Sequence, residues 1–395
     1  MTMDDAMQLV SNRSAKLGTP LSEKERNIVG APGAAEVRRF LPAFPIYAPT
    51  PLVALPGLAD KLGVGAIHLK DEGQRYGLSS FKALGGAYAV ARLVHEHVQK
   101  RLGRKVAPAE LLTDEAKAIA AELTVSCATD GNHGRSVAAG AQMFGCRCVI
   151  FLHAHVSEGR EKAIAAFGAE IRRTPGNYDQ SIVEANETAA AEGWVTVSDF
   201  SWEGYRDIPG TVMQGYSIMM AEIDEAAPQG FTHVFVQGGV GGLAAVVAGH
   251  FFDRFGSNRP CLVVVEPTRA TCLQASAARD ERTAIEAGES TVMAMLECYE
   301  PSLAAWEILE KCADFYLDIP DEAAVAALKT LAGGEGGDPS LTIGESGTAG
   351  LAGLQAALAD EAMRAALGLD KSSRVLLFGT EGATDPELYQ KLLNS

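Results

Sequence analysis

The sequence predicts an α/β protein in which parallel strands are covered by helices. Two observations carry this. Short runs rich in β-branched residues alternate with longer stretches of helical period. In addition, two of three glycine-bearing motifs fall where such a run gives way to such a stretch, the position at which open parallel sheets keep their ligands. The first strand is expected at 66–69 (Ala-Ile-His-Leu), followed by a helical stretch at 87–98. Runs at 124–127, 148–152 (Cys-Val-Ile-Phe-Leu), 170–172 and 194–197 come next, each too short and too branched for a helix. A strand at 233–236 precedes a second amphipathic stretch at 243–255, and strands at 262–265 (Leu-Val-Val-Val) and 374–378 (Arg-Val-Leu-Leu-Phe) complete the set. The segment 333–339 (Gly-Gly-Glu-Gly-Gly-Asp-Pro) follows no strand and is expected as a surface turn rather than a second anion cradle.

With 395 residues, the chain is long enough for two domains. Its 47% hydrophobic and 21% charged residues are an ordinary globular balance. The net charge, 34 − 50 = −16, argues against a nucleic-acid partner, because phosphate contacts need a basic surface. The N-terminus is acidic with no apolar run behind it, and no stretch reaches the length of a membrane span, so a cytoplasmic protein with no membrane partner is expected. Seven scattered cysteines do not form a disulfide framework. Reduced thiols are the default, with Cys272 and Cys298 the one pair placed to meet in space. His153 and His155 have no partners at metal-site intervals, and no metal site is expected.

Three motifs carry the chemistry, in this order: Ser79-Ser80-Phe81-Lys82-Ala83-Leu84-Gly85-Gly86, Thr129-Asp130-Gly131-Asn132-His133-Gly134 and Gln237-Gly238-Gly239-Val240-Gly241-Gly242. A lone Ser-x-Phe-Lys is weak, since most lysines are solvated surface charges; the ordered set is what gives it weight. A lysine held at a tight turn and partly desolvated is a nucleophile for an aldehyde. A glycine-rich loop opening onto a helix N-terminus offers closely approachable N–H donors and a favourable dipole to a phosphate. A second turn of the same kind, Thr129 to His133, suits the α-carboxylate of an amino acid. Together these are the requirements of pyridoxal 5'-phosphate acting on a small amino-acid substrate.

The order of motifs resembles the fold-type II pyridoxal phosphate enzymes, which include threonine dehydratase, cysteine synthase and the tryptophan synthase β chain. The likeness runs from about Pro49 to Leu388. Within that family the chain is most similar to the diaminopropionate ammonia-lyases, through 128–134, Ser201-Trp202-Glu203-Gly204-Tyr205 and 380–386, with Asp130 standing where ordinary dehydratases have a small residue. The resemblance implies two parallel-sheet α/β domains with the active site between them. Residues 1–85 and 191–395 would form the large cofactor-binding domain, and 86–190 a small mobile one. It also implies a homodimer.

By the same resemblance, Lys82 holds the cofactor aldehyde, Phe81 flanks it, Asn132 donates to its phenolic oxygen, and Gly238, Gly239, Val240, Gly241 and Gly242 take its phosphate. Thr380 meets the pyridine nitrogen with a neutral hydroxyl, with Glu381 next to it as a competitor. Ser80, Thr129, Asp130, Gly131, His133 and Glu345 line the substrate site. A hydroxyl partner makes the ring a weaker electron sink than a carboxylate would, so prompt loss of a β-substituent is favoured over transamination or racemisation. The implied reaction is α,β-elimination of ammonia from D- and L-2,3-diaminopropionate, giving pyruvate and two ammonia, with Asp130 and Asp199 as bases on opposite faces. Each aspartate also has a plain reading: Asp130 as the cap of the following helix and Asp199 as a turn residue. His133 is either a proton relay or a brace for the Asn132 loop. An L-serine or L-threonine dehydratase is the alternative enzyme, and a silent cofactor- or amino-acid-binding protein is the alternative outside catalysis.

Overall fold

The computed structural model describes residues 7–129, 131–154, 156–176 and 178–395. Its strands are β1 (Leu9–Ser11), β2 (Leu52–Ala54), β3 (Ala66–Asp71), β4 (Thr124–Ala128), β5 (Arg147–His153), β6 (Glu170–Thr174), β7 (Val195–Thr196), β8 (His233–Gln237), β9 (Cys261–Pro267), β10 (Phe315–Ile319) and β11 (Arg374–Gly379). They form two sheets. The larger runs β1-β10-β9-β8-β11-β3-β2, parallel except at its edges, where β1 and β2 pair antiparallel with their neighbours. The smaller, β6-β5-β4-β7, is parallel throughout. Every strand expected from the sequence is present to within two residues at its ends, and both expected helices lie within longer ones, Lys82–Leu102 and Gly242–Phe255. The smaller sheet runs on to Thr196, past the boundary expected at residue 190.

Strand alternation divides the core. Val234, Val236, Leu376 and Phe378 face one apolar cluster, while Phe235, Val375 and Leu377 face a second one under the helices Asp321–Gly333 and Ala349–Ala359. Both faces of the larger sheet are therefore covered, as a parallel sheet requires. Helix Lys82–Leu102 packs on the helices Asn132–Phe144 and Asp207–Ala226. The first crossing needs Gly140, since a Cβ there would lie 2.8 Å from the Ala87 backbone. Segment 333–339 is a turn: the Asp338 carboxylate accepts from the N–H groups of Gly57 and Leu58 at 2.9 and 2.8 Å, which anchors the helix Pro56–Leu62.

Beneath the site lies a buried ionic cluster. Arg75 donates to Glu72 and Glu222, each at 2.7 Å, and Lys70 reaches Glu222 at 2.5 Å. The charges balance two against two, so neither carboxylate is left desolvated without a partner. The cluster ties the turn that leads to Lys82 onto helix Asp207–Ala226.

Candidate active site

Lys82, Asn132, Asp199, the glycine loop and Thr380 each follow the C-terminal end of a strand: β3, β4, β7, β8 and β11. All the ends open into the space between the two sheets, where a ligand is expected.

Lys82 is the first residue of its helix. The turn before it holds Tyr76 and Ser79 at φ 53° and 56°, a left-handed conformation that non-glycine residues seldom adopt without external support. Support comes from the segment after β11: Phe81 N–H donates to the Thr380 carbonyl at 3.0 Å, Gly382 N–H to the Ser79 carbonyl at 3.0 Å, and Ser80 bridges to Glu381. The Lys82 ammonium is ion-paired with the Asp199 carboxylate. Burial alone would lower the lysine pKa, but the Asp199 charge outweighs it and leaves the amine above the ordinary lysine value. For Asp199 burial works upward, and His133 and Lys82 more than reverse it, holding the carboxyl well below the usual range. Phe81 packs edge-on against Tyr216 at 4.9 Å, and its ring centroid lies 5.4 Å from Lys82 Nζ.

The segment 201–205 serves as the scaffold for Asp199. Tyr205 Oη accepts from Ser198 N–H at 3.1 Å and donates to the Thr196 carbonyl at 2.7 Å. Trp202 stacks on Tyr205 at 4.3 Å, and Ser201 Oγ meets Ser302 Oγ at 2.7 Å. His133 places Nδ1 3.9 Å from Asp199 Oδ2, while Nε2 lies 2.8 Å from the Val197 carbonyl. It thus braces the Asn132 loop against the strand end that leads to Asp199.

Helix Asn132–Phe144 starts at Gly131, with no side-chain cap. Gly131 has no side chain to cap with, and Thr129 takes over part of that role: its Oγ1 accepts the N–H groups of Gly131 and Gly134 at 3.2 and 3.1 Å, so the first-turn N–H groups not taken up by it are those of Asn132 and His133. Asp130 lies outside the described residues, as does His155. Asn132 Nδ2 donates to Glu381 Oε2 at 2.6 Å. Burial, together with the charge of the neighbouring Glu345, pushes the Glu381 carboxyl up to about 8; burial likewise raises Glu345.

The glycine loop has Gly239 and Gly241 at φ +60° and +99°, and Gly241 caps helix Gly242–Phe255 with no side-chain hydrogen bond. A Cβ on Gly238 would fall 2.6 Å from Cγ of Glu266. Glu266 is buried and accepts the N–H groups of Leu273 and Gln274 at 2.9 and 2.7 Å; burial raises its carboxyl to about 8. Cys272 and Cys298 both approach Gly239, but none of the seven cysteines is in a disulfide.

Several residues of this site escaped the sequence reading. Arg135, Arg160, Met295 and Thr384 line a small cavity with Gly131 and Asn132. Met295 comes from an irregular segment that touches both glycine-bearing turns, and Tyr216 comes from the middle of a helix. Neither belongs to a motif. Glu381 was read from the sequence only as a competitor of Thr380 for the ring; its hydrogen bond with Asn132 was not.

A glycine cradle at one helix start, a second glycine-led helix start and a partly buried lysine match the phosphate, carboxylate and aldehyde of pyridoxal phosphate and an amino acid. Known proteins agree. The family model for pyridoxal-phosphate dependent enzymes matches residues 43–380. Diaminopropionate ammonia-lyase of Escherichia coli K12 is 37% identical over 365 residues, covering 90% of each chain, and that of Salmonella typhimurium LT2 is 36% identical over 371 residues, covering 91% of each. The crystal structure of the E. coli enzyme with an aminoacrylate–pyridoxal phosphate azomethine intermediate superposes with TM-score 0.85 at 33% identity, covering 98% of this chain and 97% of that one. Maize serine racemase, at 18% identity and TM-score 0.72 over 93% of this chain and 98% of that one, shares the fold.

Proposed function

Since the chain belongs to the pyridoxal-phosphate dependent enzyme family, we propose that it is a carbon–nitrogen lyase that converts 2,3-diaminopropionate and water to pyruvate and two ammonia. The observation that carries this reading is the contact of Lys82 with Asp199 near two glycine-led helix starts. Bound pyridoxal phosphate supplies an aldehyde to capture the substrate amine and a ring that withdraws electrons from Cα. The glycine loop 238–242 would hold the phosphate, Asn132 and Thr380 would address the ring, and the first-turn N–H groups after Gly131 would hold the substrate carboxylate.

Lys82 is the amine that would give up its place to the substrate, leaving its freed ε-amine near the reacting carbons. Asp199, partly buried and beside it, would accept a Cα proton; with Lys82 uncharged, one of the two charges that hold its carboxyl low is removed and only His133 still opposes the upward pull of burial. Asp130 is the base of the other enantiomer. The Cα–H bond breaks with its electrons moving to Cα–Cβ, the Cβ–N bond breaks, and the β-ammonium leaves as ammonia. Released 2-aminoacrylate takes up water and yields pyruvate and the second ammonia.

The protein works as a homodimer in the cytoplasm. Seven cysteines outside any disulfide fit a reducing compartment, and among the described residues no helix is long and apolar enough to cross a membrane. The test is pyruvate release by the cofactor-loaded protein from D- and L-2,3-diaminopropionate, with D- and L-serine and L-threonine beside them. Rapid turnover of both diaminopropionate enantiomers is expected. Preference for L-serine or L-threonine would make the protein a dehydratase.

A further inference from the structure

We propose that Glu381 is a positioning residue for the cofactor: it fixes the Asn132 amide so that Nδ2, and not Oδ1, is presented to the phenolic oxygen. This rests on the reading that Asn132 faces the cofactor. An asparagine amide has a donor end and an acceptor end of nearly the same shape, so its orientation must come from its partners. Here the partner is a carboxylate 2% exposed, whose Oε2 lies 2.6 Å from Asn132 Nδ2. An ionised carboxylate only accepts, which forces the NH2 group toward Glu381 and leaves its second hydrogen for another acceptor.

The orientation survives protonation. Glu381 Oε2 is committed to Asn132, so a proton taken up by the acid belongs on the buried Oε1, with Ser346 also hydrogen-bonding the carboxylate, and Oε2 goes on accepting. The groups around the carboxylate are arranged for this. Glu345, also buried, follows Gly344, whose N–H donates to the Glu381 carbonyl at 3.0 Å. Thr384 Oγ1 lies 3.4 Å from Oε2, and the Arg160 charge acts from the smaller-sheet side, with that of Asp385 reaching Glu345. Glu381 is itself held: Gly382 N–H donates to Ser79 and Phe81 N–H to Thr380, so the strand end that carries the carboxylate is the one that braces the Lys82 turn. One short segment thereby sets both the lysine and the amide.

The test is a double-mutant cycle on apoprotein titrated with pyridoxal phosphate, reading the dissociation constant and the visible absorption maximum of the bound cofactor, with unfolding of each apoprotein as a check on the fold. Asn132→Ala and Glu381→Leu are each expected to weaken binding about tenfold and move the maximum, in line with loss of one hydrogen bond worth about 1–1.5 kcal/mol. The double variant is expected to match Asn132→Ala alone. Glu381→Gln, whose Oε1 still accepts from Nδ2, is expected to stay within about threefold, because a lost hydrogen bond is what costs the tenfold. If Asn132→Ala changes nothing, the assignment of Asn132 to the cofactor fails. If Asn132→Ala acts but Glu381→Leu does not, or the two effects add, Glu381 does not act through Asn132 and the inference is overturned. If Glu381→Leu unfolds the apoprotein, Glu381→Gln decides: a tenfold loss there overturns it as well.

Discussion

Asp199→Asn is the substitution whose consequences the structure defines most closely. The carboxylate is in contact with the Lys82 ammonium, their side chains only 18% and 23% exposed, and His133 stands 3.9 Å away. In the apoprotein the substitution leaves Lys82 with its desolvation and without its partner. The raised lysine pKa contributes stability that is fully present below its unfolded value of 10.5 and fades only as pH rises through the higher folded value. The loss is therefore expected across the neutral range. A fully buried pair costs about 3–5 kcal/mol to break, and this pair, partly open and able to shed a proton, is expected to lose about 1–3 kcal/mol. The same change frees the amine. Capture of an aldehyde needs neutral lysine, and each unit by which the pKa falls raises the neutral fraction about tenfold, so cofactor capture at pH 8 is expected to be at least several times faster. Turnover moves the other way. Removing a general base costs roughly 10² to 10⁴ in rate, or about 3–5 kcal/mol, and only for the enantiomer whose Cα proton faces Asp199. Three assays read these effects: urea unfolding of apoprotein, stopped-flow absorbance on mixing with pyridoxal phosphate, and pyruvate release from each enantiomer. Equal losses on D- and L-2,3-diaminopropionate would refute the two-base scheme, and slower capture would refute the ion pair as the brake on Lys82.

Three further expectations follow from the geometry. Tyr205→Phe leaves Ser198 N–H and the Thr196 carbonyl without their partner; it is expected to cost about 1–3 kcal/mol in chemical denaturation and to lower kcat, and an unchanged kcat would separate the scaffold from Asp199. Gly241→Ala forces a side chain into φ +99° and places its Cβ 3.1 Å from Leu309, so a loss of about 1–2 kcal/mol in stability and weaker binding of pyridoxal phosphate are expected, with unaltered titration as the contrary result. Glu266→Gln turns an NH2 group onto one of two backbone donors, costing about 1–2 kcal/mol at pH 5.5. Because burial raises the folded pKa of Glu266 to about 8, the native protein loses stability as pH climbs from the unfolded value of 4.5 toward 8. The penalty of the substitution should accordingly shrink at pH 8.5, and a growing penalty in thermal unfolding would contradict the assignment.

The interior strands were legible because runs such as 262–265 and 375–378 are apolar without interruption, as strands buried on both faces must be. β1 and β2 were not: three residues at a sheet edge carry no period. β10 was obscured by Asp318, a buried carboxylate whose partners, Gln8 N–H at 2.6 Å and Gln274 Nε2 at 3.2 Å, come from distant parts of the chain. The site divides in the same way. Lys82, Asn132 and the glycine loop announce themselves because their chemistry needs neighbours in sequence. Glu381 with Asn132, Tyr216 beneath Phe81, and Met295 against Gly131 are assembled only by the fold. Their relations cross between strand ends, and local pattern holds no trace of them. Asp199 was found through the segment after it, and the structure gives the reason: Tyr205 and Ser201 brace the loop on which it sits.

The position of β11 bears on how the protein is made. In the larger sheet β11 lies between β8 and β3, which do not pair with each other, so a nascent chain carrying everything up to β10 has two exposed strand edges facing a gap. The gap closes only when residues up to Gly379 have left the ribosome, and the insertion brings Thr380 and Glu381 to Phe81 and Asn132 in the same step. The cofactor site is thus complete only once the C-terminal strand has been inserted, and until then the unfilled edges of β8 and β3 are open to wrong pairing.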